Sequence, residues 1–316
     1  MEATQKSRKS GSKKTSAAPN NSQNKQAGIS LAAFPTPCAA RARALLCFFA
    51  SPPAFLMLTA IWPTTWSRIQ RSNATLVSAL IVMVIVVASL GQLLSLLADP
   101  IGEHAAEFAE GARTTLYLTL ISGAIGLLLG IGAALARTSN NPLLRHLASA
   151  YIWIIRGTPL LVQILFMYFA LPVMIPGLNL PDFAAAVIAL ALNVGAYNAE
   201  AVRAGLNAVP RGQSEAARAL GLPKSRVFLD VVFPQAFKIS LPPLVSNFVA
   251  LLKDSSLAYA IGVVELTNVG NRVQSATFQP VETLLTVGVT YLVLTTLVTQ
   301  ITAAVEYRFD VEGRQK

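Results

Sequence analysis

Two adjacent charged residues, Lys253 and Asp254, interrupt the apolar run from Ile239 to Val264. Ionisable side chains are costly inside a bilayer, so they are functional candidates. One interpretation is that Lys253 binds a substrate carboxylate and Asp254 a substrate ammonium, or that both shape an outer gate. The other is a structural pair that satisfies broken backbone near Ser255. Because adjacent residues cannot share one helical face, we expect the pair to bracket a helix break or to face different neighbours.

Further polar residues lie in apolar surroundings. Asn193 and Asn247 are weaker candidates for the same substrate pathway, and amides of this kind also bond helices to one another. Arg156 precedes a Gly-Thr-Pro sequence at the start of an apolar stretch and is interpreted as an anchor at the cytoplasmic interface. Glu200 and Arg203 are three residues apart near the end of another stretch, a spacing that predicts an ion pair.

The chain lacks the motifs of common catalytic sites. It contains no GxxxxGK[ST] phosphate-binding loop, no HExxH and no GxSxG, and its histidines are His104 and His146. Cys38 and Cys47 are too few for a disulfide framework or a metal site. We therefore expect no enzymatic activity, no cofactor and no metal, and any ATP must be hydrolysed by another polypeptide.

The segment from Glu215 to Pro234, EAARALGLPKSRVFLDVVFP, is a polar island between two apolar stretches. Its first residues are strong helix formers, Gly221 is suited to end that helix, and Pro223 prevents it from resuming at once. The pattern predicts a helix, a bend and a second short helix that runs to Pro234. Such an element is suited to dock into a groove on a soluble partner.

The island resembles the EAA loop of permease subunits in ATP-binding-cassette (ABC) importers. That pattern reads EAA, three residues, Gly, nine residues, an aliphatic residue, one residue, an apolar residue and Pro. The matching positions here are Glu215, Gly221, Val231, Phe233 and Pro234. Val231 and Phe233 replace the more usual Ile and Leu and preserve the apolar character.

Four other segments are similar to polar amino acid permeases, the importers of histidine, glutamine, glutamate and arginine. They are YIWIIRGTPLLVQ from Tyr151, GAYNAEAVRAG from Gly195, VPRGQSEAARALG from Val209 and LLKDSSL from Leu251. The likeness covers roughly residues 108–308. It implies an all-α, type I ABC importer transmembrane domain, with five core helices and at least one extra N-terminal helix.

The resemblance also implies roles and partners. Glu215, Ala216, Ala217 and Gly221 would belong to a coupling helix that enters a cleft on the ATPase, and Pro234 would start the return to the membrane. The implied partners are a pair of ABC ATPase subunits, an extracytoplasmic solute-binding protein, and a second permease copy or a homologous permease. The implied location is the bacterial cytoplasmic (inner) membrane, with several passes.

Composition agrees with a membrane protein, because 53% of the residues are hydrophobic and only 13% are charged, against about 25% charged in soluble domains. The net charge of +10 is concentrated in residues 1–43, which hold eight basic residues and one acidic residue. We interpret this segment as a disordered, solvated cytoplasmic tail, with a specific lipid-binding device as the alternative. The basic balance does not indicate a nucleic-acid partner, and membrane lipid surrounds the rest.

Six apolar stretches are long enough to cross a bilayer, which takes about 20 residues. They are Thr75–Ala98, Leu116–Ala136, Gly157–Pro181, Phe183–Ala199, Ile239–Val264 and Thr283–Val305. Gly126 and Gly130 form a GxxxG pair that predicts close helix packing. Basic residues concentrate in alternate connections, which predicts that the Glu215–Pro234 island and the C-terminal residues 309–316 are cytoplasmic.

The domain boundaries follow. Residues 1–43 are the tail, 44–107 an extra N-terminal membrane region, 108–308 the permease domain with the coupling loop at 209–234, and 309–316 the C-terminus. The apolar residues 44–62 are interrupted by two prolines and are interpreted as an interfacial or re-entrant helix, with a seventh span as the alternative. Two other functions remain open here, an ion-coupled secondary carrier and a membrane anchor or assembly subunit that transports nothing.

Overall fold

The computed structural model describes the backbone of residues 68–309, and every regular element in that range is helical. The predicted tail, the 44–62 segment and the end of the chain lie outside the described residues. In chain order the helices are α1 (Arg68–Leu94), α2 (Ala105–Thr138), α3 (Pro142–Gly157), α4 (Leu160–Leu165), α5 (Leu171–Met174), α6 (Asp182–Ala208), α7 (Arg211–Ala219), α8 (Lys224–Arg226), α9 (Phe233–Asp254), α10 (Leu266–Thr277) and α11 (Pro280–Phe309). A π-helical segment, Phe166–Ala170, joins α4 to α5, and another, Val227–Val232, joins α8 to α9.

Within residues 68–309, five helical stretches are long and apolar enough to cross a membrane, and a bent pair, α3 with α4–α5, makes a sixth if it counts as one span. The five are Asn73–Leu94, Ala105–Thr138, Asp182–Ala208, Lys224–Ile261 and Pro280–Glu306. This agrees with the predicted all-α membrane fold and with an extra helix, α1, before the core.

The predicted apolar stretch Gly157–Pro181 contains a shorter helix than expected, and a sharp break separates that helix from α3. Helices α3 and α4–α5 meet at an angle of 110°. Thr158, at the break, has an extended backbone with ψ 146° because a residue that precedes a proline avoids the helical region. Helix resumes at Leu160 and ends at Met174, short of the expected boundary.

The second short helix of the polar island also differs from its prediction. It does not end at Pro234 but continues from Lys224 through the π-helical segment into α9, which ends at Asp254. Pro234 lies in the first turn of α9, directly after the wider turns of the π-helical segment. The polar island and the membrane helix are therefore one continuous helical unit.

The glycines of the GxxxG pair lie where α2 crosses α6. A Cβ on Gly126 would lie 2.3 Å from Val194, and a Cβ on Gly130 would lie 2.5 Å from the Cβ of Asn198. Because glycine has no side chain, the backbones of α2 and α6 can approach closely. Close van der Waals packing of this kind stabilises membrane helices, since the hydrophobic effect does not favour their association in lipid. The prediction that this pair packs helices is confirmed.

Helix α10 begins at a fully buried acid, Glu265. Its carboxylate accepts hydrogen bonds from the Thr267 and Asn268 N–H groups and from the Tyr291 hydroxyl, each 2.8 Å long. Burial raises the pKa of the Glu265 carboxyl above its ordinary value, and these hydrogen bonds oppose that rise. Through Glu265 the start of α10 is fixed against α11.

Candidate functional site

A cavity of about 330 Å³ opens beside the break between α3 and α4. Three of the predicted pathway residues, Asn193, Asn247 and Asp254, line it. The other lining residues are Thr158, Pro159, Leu160, Val194, Tyr197, Ala250, Leu251 and Leu257. An apolar wall with a few polar groups is the usual make-up of a site for a small polar molecule.

Gln163 holds the broken helix next to this cavity. Its side-chain amide donates to the Ile155 carbonyl at 2.8 Å and to the Thr158 carbonyl and hydroxyl at 3.1 and 2.9 Å. Its carbonyl accepts a hydrogen bond of 3.2 Å from the Asn193 amide. Gln163 thus satisfies backbone acceptors freed at the break and orients a cavity residue, a role that the sequence signalled only by a Gln within an apolar helix start.

Asn247 lines the cavity from α9, and its side chain is fixed by a hydrogen bond to α6. Its amide nitrogen donates to the side-chain oxygen of Asn198 at 3.0 Å. The expectation that these asparagines bond helices together is met, and Asn193 and Asn247 line the cavity as well.

Lys253, Asp254 and Ser255 occupy different surroundings. Helix α9 ends at Asp254 and continues as a 3₁₀ helix from Ser255 to Ile261, so the pair does mark a change of helix. Asp254 is partly buried in the cavity wall, whereas Lys253 is exposed on another face. Ser255 is buried and donates to the Leu252 carbonyl at 2.8 Å. Asp254 is therefore the charged member of this group that faces the cavity.

Three arginines from three helices surround Glu200. Arg203 donates two hydrogen bonds, of 2.9 and 2.7 Å, to one carboxylate oxygen, and Arg137 donates to the other. Arg156 is farther, with a nitrogen 3.7 Å from the carboxylate, and its guanidinium lies over the Tyr197 ring, 5.2 Å from the centroid. The predicted Glu200–Arg203 pair is confirmed, while the participation of Arg137 and Arg156 was not foreseen because it depends on tertiary packing.

The polar island has the backbone geometry of a helix stop. Gly221 has φ +81°, and its N–H donates to the Arg218 carbonyl at 2.9 Å, while the Leu222 N–H donates to the Ala217 carbonyl at 3.3 Å. These two bonds form a Schellman motif, in which a left-handed glycine closes the helix. The predicted termination of this helix by Gly221 is confirmed.

The surface of the island is mostly open. Glu215, Ala216 and Gly221 are exposed, and Leu220 exposes 83% of its surface at the end of α7. Ala217 is buried against the rest of the chain, and Pro234 is exposed at the start of α9. The island therefore presents a short polar helix with an apolar residue at its end.

Residues 126–311 match the family described as binding-protein-dependent transport system inner membrane component. The chain belongs to this family. It is a multi-pass component of the inner membrane. Membership of this family does not favour the two alternative functions named above, an ion-coupled secondary carrier and a membrane anchor that transports nothing. The matched range contains most of the permease domain predicted from sequence, together with the polar island and the cavity.

Relatives of this family member have assigned substrates. It is 38% identical over 202 residues to the glutamine transport system permease protein GlnP of Escherichia coli, which covers 64% of this chain and 92% of that protein. It is 39% identical over 197 residues to the arginine transport system permease protein ArtQ of Bacillus subtilis, covering 62% and 90%. The L-cystine transport system permease protein TcyB of Bacillus subtilis is 44% identical over 156 residues, covering 49% and 66%.

Solved structures show the same fold. A crystal structure of an amino acid ABC transporter with histidines matches with a TM-score of 0.62 and 38% identity, covering 67% of this chain and 99% of that one. An inward-facing structure of the MetNI methionine ABC transporter matches with a TM-score of 0.57 at 21% identity. The predicted ABC importer transmembrane fold is confirmed.

Proposed function

We propose that this chain is the permease subunit of an ATP-driven importer that moves a polar amino acid across the inner membrane. The relatives named for glutamine, arginine and cystine support that substrate class. Within residues 68–309 the cavity offers amide, hydroxyl and carboxylate groups that suit such a solute. A binding protein would deliver the substrate from outside, and a second permease copy or a homologous permease would complete the pathway.

Energy would come from a separate pair of ATPase subunits through the polar island. Glu215, Ala216 and Ala217 would form the docking helix, with Glu215 facing basic or donor groups on the ATPase. Gly221 would fix the bend, and Pro234 would lie where the chain returns to the membrane. Closure of the ATPases would move these residues and change the access of the cavity from one side to the other.

The observation that carries the proposal is the continuity between the polar island and the cavity. One helical unit runs from Lys224 to Asp254, so the residues that follow the bend and the residue that faces the cavity belong to the same element. At 1.5 Å per residue the unit is about 45 Å long. Displacement at the cytoplasmic end is therefore transmitted to the cavity without an intervening loop.

Charge inversion at the island tests this function. In cells that also express the ATPase and the binding protein, Glu215→Lys should reduce both the ATPase recovered with the purified permease and the ATP-dependent uptake of radiolabelled amino acids. Glu110→Gln, a change of an exposed carboxylate far from the island in sequence, serves as the control and should leave both unchanged. Full uptake in the Glu215→Lys variant would reject the coupling role.

Sidedness provides a second test. Ser225 is exposed in α8, and a Ser225→Cys variant made in a background without Cys38 and Cys47 should react with a membrane-impermeant maleimide only after the cells are opened. Labelling in sealed cells would place the island outside and would exclude contact with a cytoplasmic ATPase.

A further inference from the structure

We infer that the groove between α1 and α2 binds one phospholipid with a zwitterionic headgroup, such as phosphatidylethanolamine. The lipid phosphate lies at Arg113, and one acyl chain follows the groove toward Leu120. Both walls of the groove precede residues 126–311, the range that matches the family. The inference goes beyond the proposed function, because none of the described residues lines both this groove and the cavity beside the α3–α4 break.

Helices α1 and α2 lie in contact near the connection that joins them. A Cβ on Gly91 of α1 would lie 3.4 Å from the Cβ of Ala109 on α2. Farther along both helices, a groove of about 300 Å³ lies between them. Its walls are formed by Met83, Val84, Val87 and Ala88 of α1 and by Arg113, Leu116, Tyr117 and Leu120 of α2. Apart from the Arg113 guanidinium and the Tyr117 hydroxyl these side chains are apolar, so the groove suits a hydrocarbon chain.

The groove opens toward the outside of the fold. Val84 exposes 63% of its surface and Tyr117 exposes 60%. On α2, Arg113, Tyr117 and Leu120 are spaced by four and three residues, so they share one helical face. A ligand can therefore enter from the surrounding lipid, with a cationic group at one end of an apolar wall.

Arg113 lies at the level of the lipid headgroups. On α2, 23 uncharged residues separate Arg113 from Arg137, and this distance is about 36 Å at 1.5 Å per residue. The hydrocarbon core of a bilayer is about 30 Å thick, so the two guanidinium groups reach opposite polar surfaces. From Arg113 the groove extends to Leu120, about 10 Å along the helix axis. An acyl chain takes this direction below its phosphate.

The Arg113 guanidinium has donors that the fold leaves unused. Its partner in the nearest ion pair is Glu110, and the N–O separation of 3.6 Å is too long for a hydrogen bond. Among the described residues the guanidinium donates no hydrogen bond, and 43% of its side chain is exposed. A guanidinium binds a phosphate group through two parallel hydrogen bonds. Basic pockets between membrane helices bind lipid headgroups in this way.

The acidic segment before Arg113 decides the headgroup. Residues 99–110 contain four acidic residues and neither Lys nor Arg. A headgroup whose only charge is the phosphate is repelled by these carboxylates, whereas an ammonium beyond the phosphate is attracted to them. The order of charges along the chain, Arg113 nearer the hydrocarbon core and the acidic segment farther out, matches the order of phosphate and ammonium in phosphatidylethanolamine.

Lipid retention on the purified full-length protein tests the site. Native mass spectrometry counts the phospholipids that stay bound after detergent exchange, and titration with phosphatidylethanolamine and phosphatidylglycerol of matched acyl chains gives their affinities. The wild type should retain one phosphatidylethanolamine and bind phosphatidylglycerol roughly tenfold more weakly. Added phosphatidylethanolamine should also raise the melting temperature, because a ligand that binds the folded state stabilises it.

Two variants remove the site by different means. Arg113→Gln should lower the affinity for phosphatidylethanolamine roughly tenfold to hundredfold, the range for loss of a charge-assisted hydrogen bond. Val84→Trp should lower it as well, because the larger side chain occupies the groove without entering the core. Both variants should lose the lipid-dependent rise in melting temperature.

Each variant has a matched control. Arg145→Gln changes an exposed arginine of α3, and Val77→Trp changes an exposed valine of α1 that does not line the groove. Both controls should retain phosphatidylethanolamine as the wild type does. Without added lipid, Arg113→Gln and Val84→Trp should melt at the temperatures of their controls, which separates loss of the site from misfolding.

The outcomes decide between occupants of the groove. Wild-type retention of phosphatidylethanolamine by folded Arg113→Gln and Val84→Trp would overturn the inference, and so would equal affinities of the wild type for the two lipids. A two-copy mass that Val84→Trp reduces to one copy, with lipid still bound, would assign the groove to a second permease instead. None of these measurements depends on amino acid uptake, so the proposed function stands or falls separately.

Discussion

Gly130 of α2 lies against Asn198 of α6, and a Cβ on Gly130 would come within 2.5 Å of the Asn198 Cβ and 3.0 Å of the Gly195 carbonyl oxygen. Backbone atoms cannot move aside as the end of a flexible side chain can. Since Asn198 also accepts a hydrogen bond from Asn247, which lines the cavity, the crossing of α2 and α6 helps to position that cavity residue.

Gly130→Ala should therefore destabilise the membrane domain by about 1–3 kcal/mol, the usual range for overpacking. The measurement is the melting temperature of the purified protein in detergent. Gly132→Ala is the control, because a Cβ at Gly132 meets nothing within 4 Å. Equal melting temperatures for the two variants would contradict the tight crossing.

Gly221→Ala should reduce coupling rather than global stability. A left-handed backbone costs a non-glycine residue about 1–2 kcal/mol, while the open space around Gly221 means that there is no clash. We expect lower ATP-dependent uptake and less bound ATPase, with partial recovery in Gly221→Asn because asparagine tolerates this conformation.

The control for that experiment is Gly212→Ala, a change of an exposed glycine within α7 that also meets nothing within 4 Å. Alanine favours helix there, so uptake should be kept. If Gly221→Ala transports as well as Gly212→Ala, the left-handed bend is not needed for coupling.

Glu265 predicts a dependence of stability on pH. Because burial raises its pKa in the folded state above the unfolded value, the folded state binds the proton more tightly. The contribution of Glu265 to stability is then fully present below the unfolded pKa and is lost as the pH rises through the folded pKa. Glu265→Gln removes this titration.

The measurement is the melting temperature of the wild type and of Glu265→Gln across a pH series. The difference between them should change in favour of the variant as the pH increases from the ordinary glutamate pKa upward. A difference that stays constant with pH would show that Glu265 titrates as it does in the unfolded chain.

Gln163→Leu should destabilise the break between α3 and α4 by about 1–3 kcal/mol, because the Ile155 carbonyl would lose its donor. Amino acid uptake should fall as well, since Asn193 would lose its partner. Gln274→Leu is the control, because among the residues that the structure describes the Gln274 amide donates to the Asn271 side chain, one helical turn away, and to no other group. Similar melting temperatures for the two variants would argue against a structural role of Gln163.

Local features were predictable from sequence where one residue decides the backbone. Gly221 stops α7 because glycine alone adopts φ +81° at no cost, and the GxxxG pair packs because small residues permit it. The change of helix at Asp254 followed from two adjacent charges that cannot share a face. Each of these conclusions needs only neighbouring residues.

Features that depend on which helices meet were not predictable. The approach of Arg137 and Arg156 to Glu200 joins residues 63 and 44 positions apart, and no periodicity reports such distances. The sequence placed Thr158 at the start of an apolar stretch but did not predict the 110° angle between α3 and α4, because composition does not show the direction of a helix. The same holds for Gln163, whose partners lie on both sides of that bend.

The π-helical segment Val227–Val232 determines the direction around the helix axis in which the side chains of α9 point. An α-helix rotates by 100° per residue, and a π turn accommodates one additional residue. Without that wider turn, the Asp254 side chain would be rotated by about 100° around the helix axis relative to α8. The number of residues between the cytoplasmic bend and the cavity is therefore as constrained as their identity, and a single-residue deletion there would misdirect the carboxylate while leaving the helix intact.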